Sequence, residues 1–246
     1  MNIEKKGKPI AVIKGGPLDT KLIYLDNNLD GKKNIMTENK FSPLPIVEKN
    51  NRECLYVTGP SGSGKSTYVS EYIKYFKQIF PDRRVIIFSK VEDDEALDKY
   101  NPIRITLDSE LIEFPIKPEE LRKSLVIFDD IDTIQDDKIK KAVFKIKDDL
   151  LQVGRHFKIY VIVTSHICRD HKNTRINLIE SNSFTFFPSS GSIAGAKSVL
   201  KDYVGLDKKT IDKIVDMGKN SRWVTIYTRY PQYVMSEKEI NLISNI

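Results

Sequence analysis

Apolar and polar positions change rhythm near residue 53. Beyond it, short apolar runs alternate with segments whose apolar residues recur every three or four positions. Cys54-Leu55-Tyr56-Val57-Thr58, Val85-Ile86-Ile87-Phe88, Leu125-Val126-Ile127-Phe128, Tyr160-Val161-Ile162-Val163 and Phe184-Thr185-Phe186-Phe187 predict strands of the buried type. Between them lie helical patterns. Val69, Tyr72, Ile73, Phe76 and Phe80 share one helical face, which Pro81 and Asp82 end. Ile139, Ala142, Val143, Ile146 and Leu150 share another, with Asp136 and Asp137 at its positive start. Residues 194–203 and 208–217 read as two further helices stopped by Gly205 and Gly218. Trp223-Val224-Thr225-Ile226-Tyr227 reads as a strand, with Tyr233-Val234-Met235 pairing to it across Pro231. Apolar strands separated by helices predict an α/β fold, with a central, mostly parallel sheet flanked by helices on both faces. Ligands of such sheets bind at the carboxyl ends of the strands.

Residues 1–50 lack this alternation. Pro9-Ile10-Ala11-Val12-Ile13 and Lys21-Leu22-Ile23-Tyr24-Leu25 suggest two short strands, with turn chemistry at Gly15-Gly16-Pro17 between them. Phe41-Ser42-Pro43-Leu44-Pro45 is extended, because a proline disfavours helix at the residue before it. The expected organisation is an N-terminal arm or edge-strand extension over residues 1–50 and one phosphate-loop ATPase domain over residues 51–246.

Composition narrows the picture modestly. The chain has 246 residues, 40% hydrophobic and 30% charged, as expected for one large α/β domain with a full core. No apolar run approaches 18 residues and the first residues lack a signal-peptide core, so no membrane association is expected. Two cysteines, Cys54 and Cys168, are too few for a disulfide framework and predict a reducing compartment. A net charge of +6 permits a nucleic-acid partner without demonstrating one.

The chemistry concentrates in four places. Gly59, Pro60, Ser61, Gly62, Ser63, Gly64, Lys65, Ser66 and Thr67 fit G-x-x-x-x-G-K-[ST], the Walker A loop, between a predicted strand and a predicted helix. Its glycines let successive N–H groups turn inward around phosphate oxygens, and the following helix aims its positive end at the same anion. Lys65 is expected to reach the β- and γ-phosphates of ATP, and Ser66 to bind Mg²⁺. The run ending in Asp129-Asp130 is a Walker B pattern: Asp129 is placed to hold Mg²⁺, and Asp130 to orient or deprotonate the attacking water. Asp132 is a weaker alternative base. Thr164, Ser165 and His166 end a strand where polar side chains can contact the γ-phosphate or the water. Gly154-Arg155-His156 offers an arginine able to cross a subunit interface, with Arg222 as a second candidate. His166-x-Cys168-x-x-His171 supplies three ligand types without a fourth, and no metal site is expected there.

In order and spacing, these four motifs resemble those of the genome-packaging ATPases of large double-stranded DNA viruses and their virophages, within the FtsK–HerA group of RecA-like phosphate-loop NTPases. The tail Ser221-Arg222-Trp223-Val224-Thr225-Ile226, followed by Pro231-Gln232-Tyr233-Val234, is also similar to the end of those proteins. The resemblance covers roughly residues 50–240, and the compact length suits the virophage members. It implies an ATP-driven homo-oligomeric ring, a pentamer or hexamer, that threads double-stranded DNA into a capsid. It implies capsid proteins as partners and a place in the host cytoplasm, at the viral factory, or in the virion. Arg155 matches the trans-acting arginine finger. Asp130 replaces the Glu of many relatives, and His166 stands where relatives often place Gln. Two other readings remain: a small-molecule or nucleoside kinase, which needs an arginine-rich lid that is not visible, and a nucleotide-dependent assembly switch that does not translocate.

Overall fold

The computed structural model describes residues 1–26, 32–47, 52–170, 173–191 and 193–245. The N-terminal segment contributes β1 (Lys8–Lys14), β2 (Leu22–Leu25), β3 (Asn34–Met36) and β4 (Lys40–Pro43). Strand β1 pairs antiparallel with both β2 and β4 in a small three-stranded sheet. Strand β3 leaves that sheet and joins the edge of a larger one.

The alternating region begins with β5 (Cys54–Thr58) and α1 (Lys65–Ile79), then β6 (Arg84–Ser89), the single turn α2 (Glu95–Asp98), β7 (Ile103–Ile105) and the single turn α3 (Glu110–Glu113). Next come β8 (Ser124–Asp129), α4 (Asp137–Val153), β9 (Tyr160–Ser165), α5 (Arg175–Glu180) and β10 (Ser183–Phe186). The chain closes with α6 (Ala194–Asp202), α7 (Lys208–Asp216), β11 (Val224–Tyr227), β12 (Tyr233–Ser236) and β13 (Glu239–Leu242). Asp136 caps α4 by accepting from the Lys138 and Ile139 amides, as an acidic residue at a helix start should.

The large sheet runs β3-β13-β12-β11-β10-β5-β9-β8-β6-β7. From β10 to β7 every pairing is parallel; from β10 through β11, β12 and β13 to β3 every pairing is antiparallel. Side chains alternate across the parallel half. Leu55, Val57, Leu125, Ile127 and Ile162 face a core shared with α1 and the small sheet. Tyr56, Val126, Phe128, Val161 and Val163 face a second core, under α4, α6 and α7. Both faces are covered, which explains why these strands read as continuous apolar runs. The sequence pattern missed β3, β7, β13, the short helix α5 and the one-turn helices α2 and α3, all too short or too polar to show a period. No helix among the described residues is long and apolar enough to cross a membrane.

Strand β9 lies between β5 and β8. The phosphate-loop strand and the acidic strand are therefore one strand apart, and the intervening strand ends in Thr164 and Ser165.

Candidate active site

The loop between β5 and α1 is shaped for close backbone approach. Gly62 and Gly64 take φ of 75° and 108°, a region open to glycine and costly for side chains. Gly59 is fixed by crowding instead: a Cβ there would lie 2.6 Å from Ser63 Oγ. Lys65 opens α1, and its Nζ donates to the Gly59 carbonyl at 2.9 Å. Its ammonium lies 3.4 Å from Asp130 Oδ2, across the gap between the two motifs. Ser66 is half-buried at the helix start, whereas Pro60, Ser61 and Thr67 are exposed on the rim.

The acidic pair divides at the end of β8. Asp129 finishes the strand and is buried. Its Oδ1 accepts from the Thr164 hydroxyl at 2.9 Å and its Oδ2 from Ser89 at 3.2 Å. Burial pushes the Asp129 carboxyl above the usual carboxylate range; the Thr164 hydrogen bond draws it down, and the Asp130 charge pushes it up. Asp130 turns the chain with φ 44°, so its carboxylate swings away from Asp129 and toward Lys65. The Asp130 amide donates to Thr164 Oγ1 at 2.9 Å, and His166 Nε2 lies 2.9 Å from Asp130 Oδ2. Thr164 thus touches both carboxylates through one hydroxyl.

Asp132 is engaged elsewhere. Its Oδ2 accepts from the Ser165 hydroxyl at 2.9 Å and from the His166 amide at 3.2 Å. The structure therefore gathers Lys65, Asp129, Asp130, Thr164 and His166 at the carboxyl ends of the strands, with Ser165 linked to them through Asp132. Ser66 and Asp129 are hard oxygen donors of the kind Mg²⁺ takes, and among the described residues no ion pair neutralises the buried Asp129. The donor set fits the ion.

The two candidate arginines lie in different parts of the fold. Arg155 is exposed in the 3₁₀ turn Gly154–Phe157, before β9 begins. It lies at the amino ends of the strands, about 20 Å of strand away from the phosphate loop of its own chain. Arg222 instead borders a cavity that also includes Ser63, Gly64 and Thr67 of its own chain. His171 lies outside the described residues, and Cys168 Sγ meets Thr58 Oγ1 at 3.1 Å.

Sequence reasoning missed two contributors. Ser89 ends β6 directly beside Asp129 in the parallel register; its only sequence signal is a polar residue closing an apolar run. Arg52 is buried, and its guanidinium donates to the carbonyls of Leu150, Leu151 and Ile159. It ties the end of α4 to the start of β9, on either side of Arg155. Nothing in its sequence neighbourhood announces this.

No protein-family model matches the chain. It is 41% identical over 241 residues to "Uncharacterized protein V3" of the Sputnik virophage, with 96% of each chain covered. Among solved structures it is similar to the genome packaging NTPase B204 from Sulfolobus turreted icosahedral virus 2 in complex with AMPPCP. That match has a TM-score of 0.51 and 14% identity, over 78% of this chain and 98% of that one. It is also similar to B204, the DNA-packaging ATPase from Sulfolobus turreted icosahedral virus, with a TM-score of 0.50 and 14% identity, over 76% and 97% of the two chains. At this identity the likeness is one of fold, and the fold is that of a phosphate-loop NTPase.

Proposed function

The chain belongs to the family of the virophage protein V3, and from that premise we propose that it is an ATP-hydrolysing translocase that packages double-stranded viral DNA into a capsid. The observation that carries the reading is the meeting of Lys65, Asp130, Thr164 and His166 beside a phosphate loop at the carboxyl ends of a parallel sheet. The virophage relative and the fold shared with B204, named for DNA packaging in its own virus, support the task.

In this reading the loop amides and Lys65 bind the triphosphate. Ser66 and Asp129 would hold Mg²⁺, which would supply positive charge to the bound phosphates. Asp130 positions and deprotonates the attacking water, and His166 and Thr164 orient its carboxylate. Ser165 and Asp132 connect that group to the end of β9. Lys65 and Asp130 neutralise one another across 3.4 Å; a bound γ-phosphate competes for the same ammonium and releases the carboxylate for base work. Arg155 acts in trans within a homo-oligomeric ring, a pentamer or hexamer, with double-stranded DNA and capsid proteins as partners, in the host cytoplasm or the virion.

The test is ATP turnover with and without long double-stranded DNA, on protein whose oligomeric state is measured. DNA is expected to stimulate turnover severalfold, and Lys65→Ala to abolish it. Asp130→Asn should keep nucleotide binding and lose about 10²-fold or more in rate. Turnover indifferent to DNA would leave a nucleotide-dependent assembly switch as the better reading, and phosphate transfer to an added nucleoside would indicate a kinase.

A further inference from the structure

A cavity of about 170 Å³ opens on the flank of the phosphate loop. Ser63, Gly64 and Thr67 form the side nearest the loop, and none of Asp129, Asp130 and Thr164 borders it. We infer that this cavity seats the nucleoside part of the triphosphate, its base and ribose, and that the N-terminal sheet supplies part of the wall. The inference rests on the phosphate-loop reading and deepens it.

The reacting end of the triphosphate is defined by Lys65, whose ammonium faces Asp130 at 3.4 Å. The phosphates then follow the loop amides and the first turn of α1. The nucleoside has to leave from the end remote from Asp130, past Gly64 and Thr67, which is where the cavity begins.

Tyr68, Phe187 and Trp223 form an apolar floor, Tyr68 and Trp223 meeting edge to face with centroids 5.2 Å apart. The rim is polar and carries both donors and acceptors. Glu237 receives Lys40 Nζ at 2.9 Å on one oxygen and the Arg222 amide at 2.8 Å on the other. The Arg222 side chain stands exposed beside them. A base presents apolar faces and a hydrogen-bonding edge, and this cavity offers the complement of each. Ser63, 4% exposed, lines the cavity, and its buried Oγ has no hydrogen-bond partner. A buried hydroxyl left unpaired is costly, and a ribose or phosphate oxygen at this place would satisfy it.

The N-terminal sheet enters through Lys14 of β1 and Lys40, Phe41 and Ser42 of β4. Lys40 at the start of β4 reaches Glu237, and Lys14 at the end of β1 pairs with Glu71 of α1. Both border the cavity. The small sheet therefore faces the nucleoside, while the phosphates are held entirely by residues from 59 onward.

The experiment compares a non-hydrolysable ATP analogue with inorganic tripolyphosphate, by calorimetry on the full chain. The wild type should bind the analogue at least tenfold more tightly. Lys40→Ala and Arg222→Ala should each narrow that gap severalfold by weakening the analogue alone, and retained tripolyphosphate binding certifies that the variants are folded. Equal affinity of the wild type for both ligands overturns the nucleoside seat and leaves the phosphate loop standing. So do variants that leave both ligands unchanged, or weaken both alike. A wild type that binds neither ligand overturns the phosphate-loop reading itself.

Discussion

Asp130 shows how much one dihedral angle decides. At φ 44° it occupies the left-handed region, which Asp visits more readily than most residues because its short side chain can bond locally. The turn separates it from Asp129: Asp130 alone meets Lys65 and His166, Asp129 alone accepts from Ser89, and the Thr164 hydroxyl is shared between them. The sequence shows two acids in a row; it does not show that they part company. Nothing in the sequence around Glu53 marks it as buried. It is fully enclosed, accepts from the Ile46 amide at 3.0 Å and the Tyr72 hydroxyl at 2.8 Å, and leaves Oε1 without a partner. Burial pushes its carboxyl from the ordinary 4.5 up to about 7, against those two hydrogen bonds. Between these values the folded chain holds a proton that the unfolded chain has released, so the linked stability is full below pH 4.5 and is lost as pH rises through 7. Glu53→Gln should flatten this fall, by up to about 3 kcal/mol between pH 5 and 8. Thermal unfolding across that range measures it, and a slope equal to the wild type's would assign the pH dependence to other groups.

At the scale of elements, the long apolar runs and the amphipathic helices were legible because burial imposes a period. Strands β3 and β7 were not, because each is a short edge strand held by backbone pairing to a neighbour that the local sequence does not contain, and β13 was not, because four residues of mixed polarity show no period. The junction of α4 and β9 depends on a contact across about 100 positions. Gly154 has helical φ and ψ of −57° and −17°, so alanine would suit the backbone and on that account alone stabilise by about 0.4–1 kcal/mol. A Cβ there would sit 2.5 Å from Arg52 Nη1, whose guanidinium is anchored to three carbonyls. Overpacking costs about 1–3 kcal/mol, which is the larger effect. Gly154→Ala should therefore lower the unfolding midpoint, and a rise would show that Arg52 yields freely.

Over the whole molecule, the sheet has two ends with different equipment. The carboxyl ends carry the loop, both acids and the polar close of β9, and the amino ends carry Arg155. A strand's length separates Arg155 from its own phosphate loop, so a catalytic part for it requires a second subunit. Arg155→Ala and Lys65→Ala proteins should each be inactive, and their mixture should recover part of the activity, because a mixed ring joins an intact loop to an intact arginine. Turnover by mixed oligomers reads this directly; absence of recovery in confirmed mixed oligomers would remove the trans role. The sequence by itself determined the phosphate loop, the acidic strand end, the order of motifs and the alternating α/β plan, since each is a local pattern with a local physical cause. Only the tertiary structure decided which strand lies between loop and acids, that Thr164 bridges Asp129 and Asp130, and that Arg222 shares a cavity with its own loop while Arg155 sits at the opposite ends of the strands. Those are relations between residues 30 to 160 positions apart, and they exist only once backbone pairing and burial have set the strands side by side.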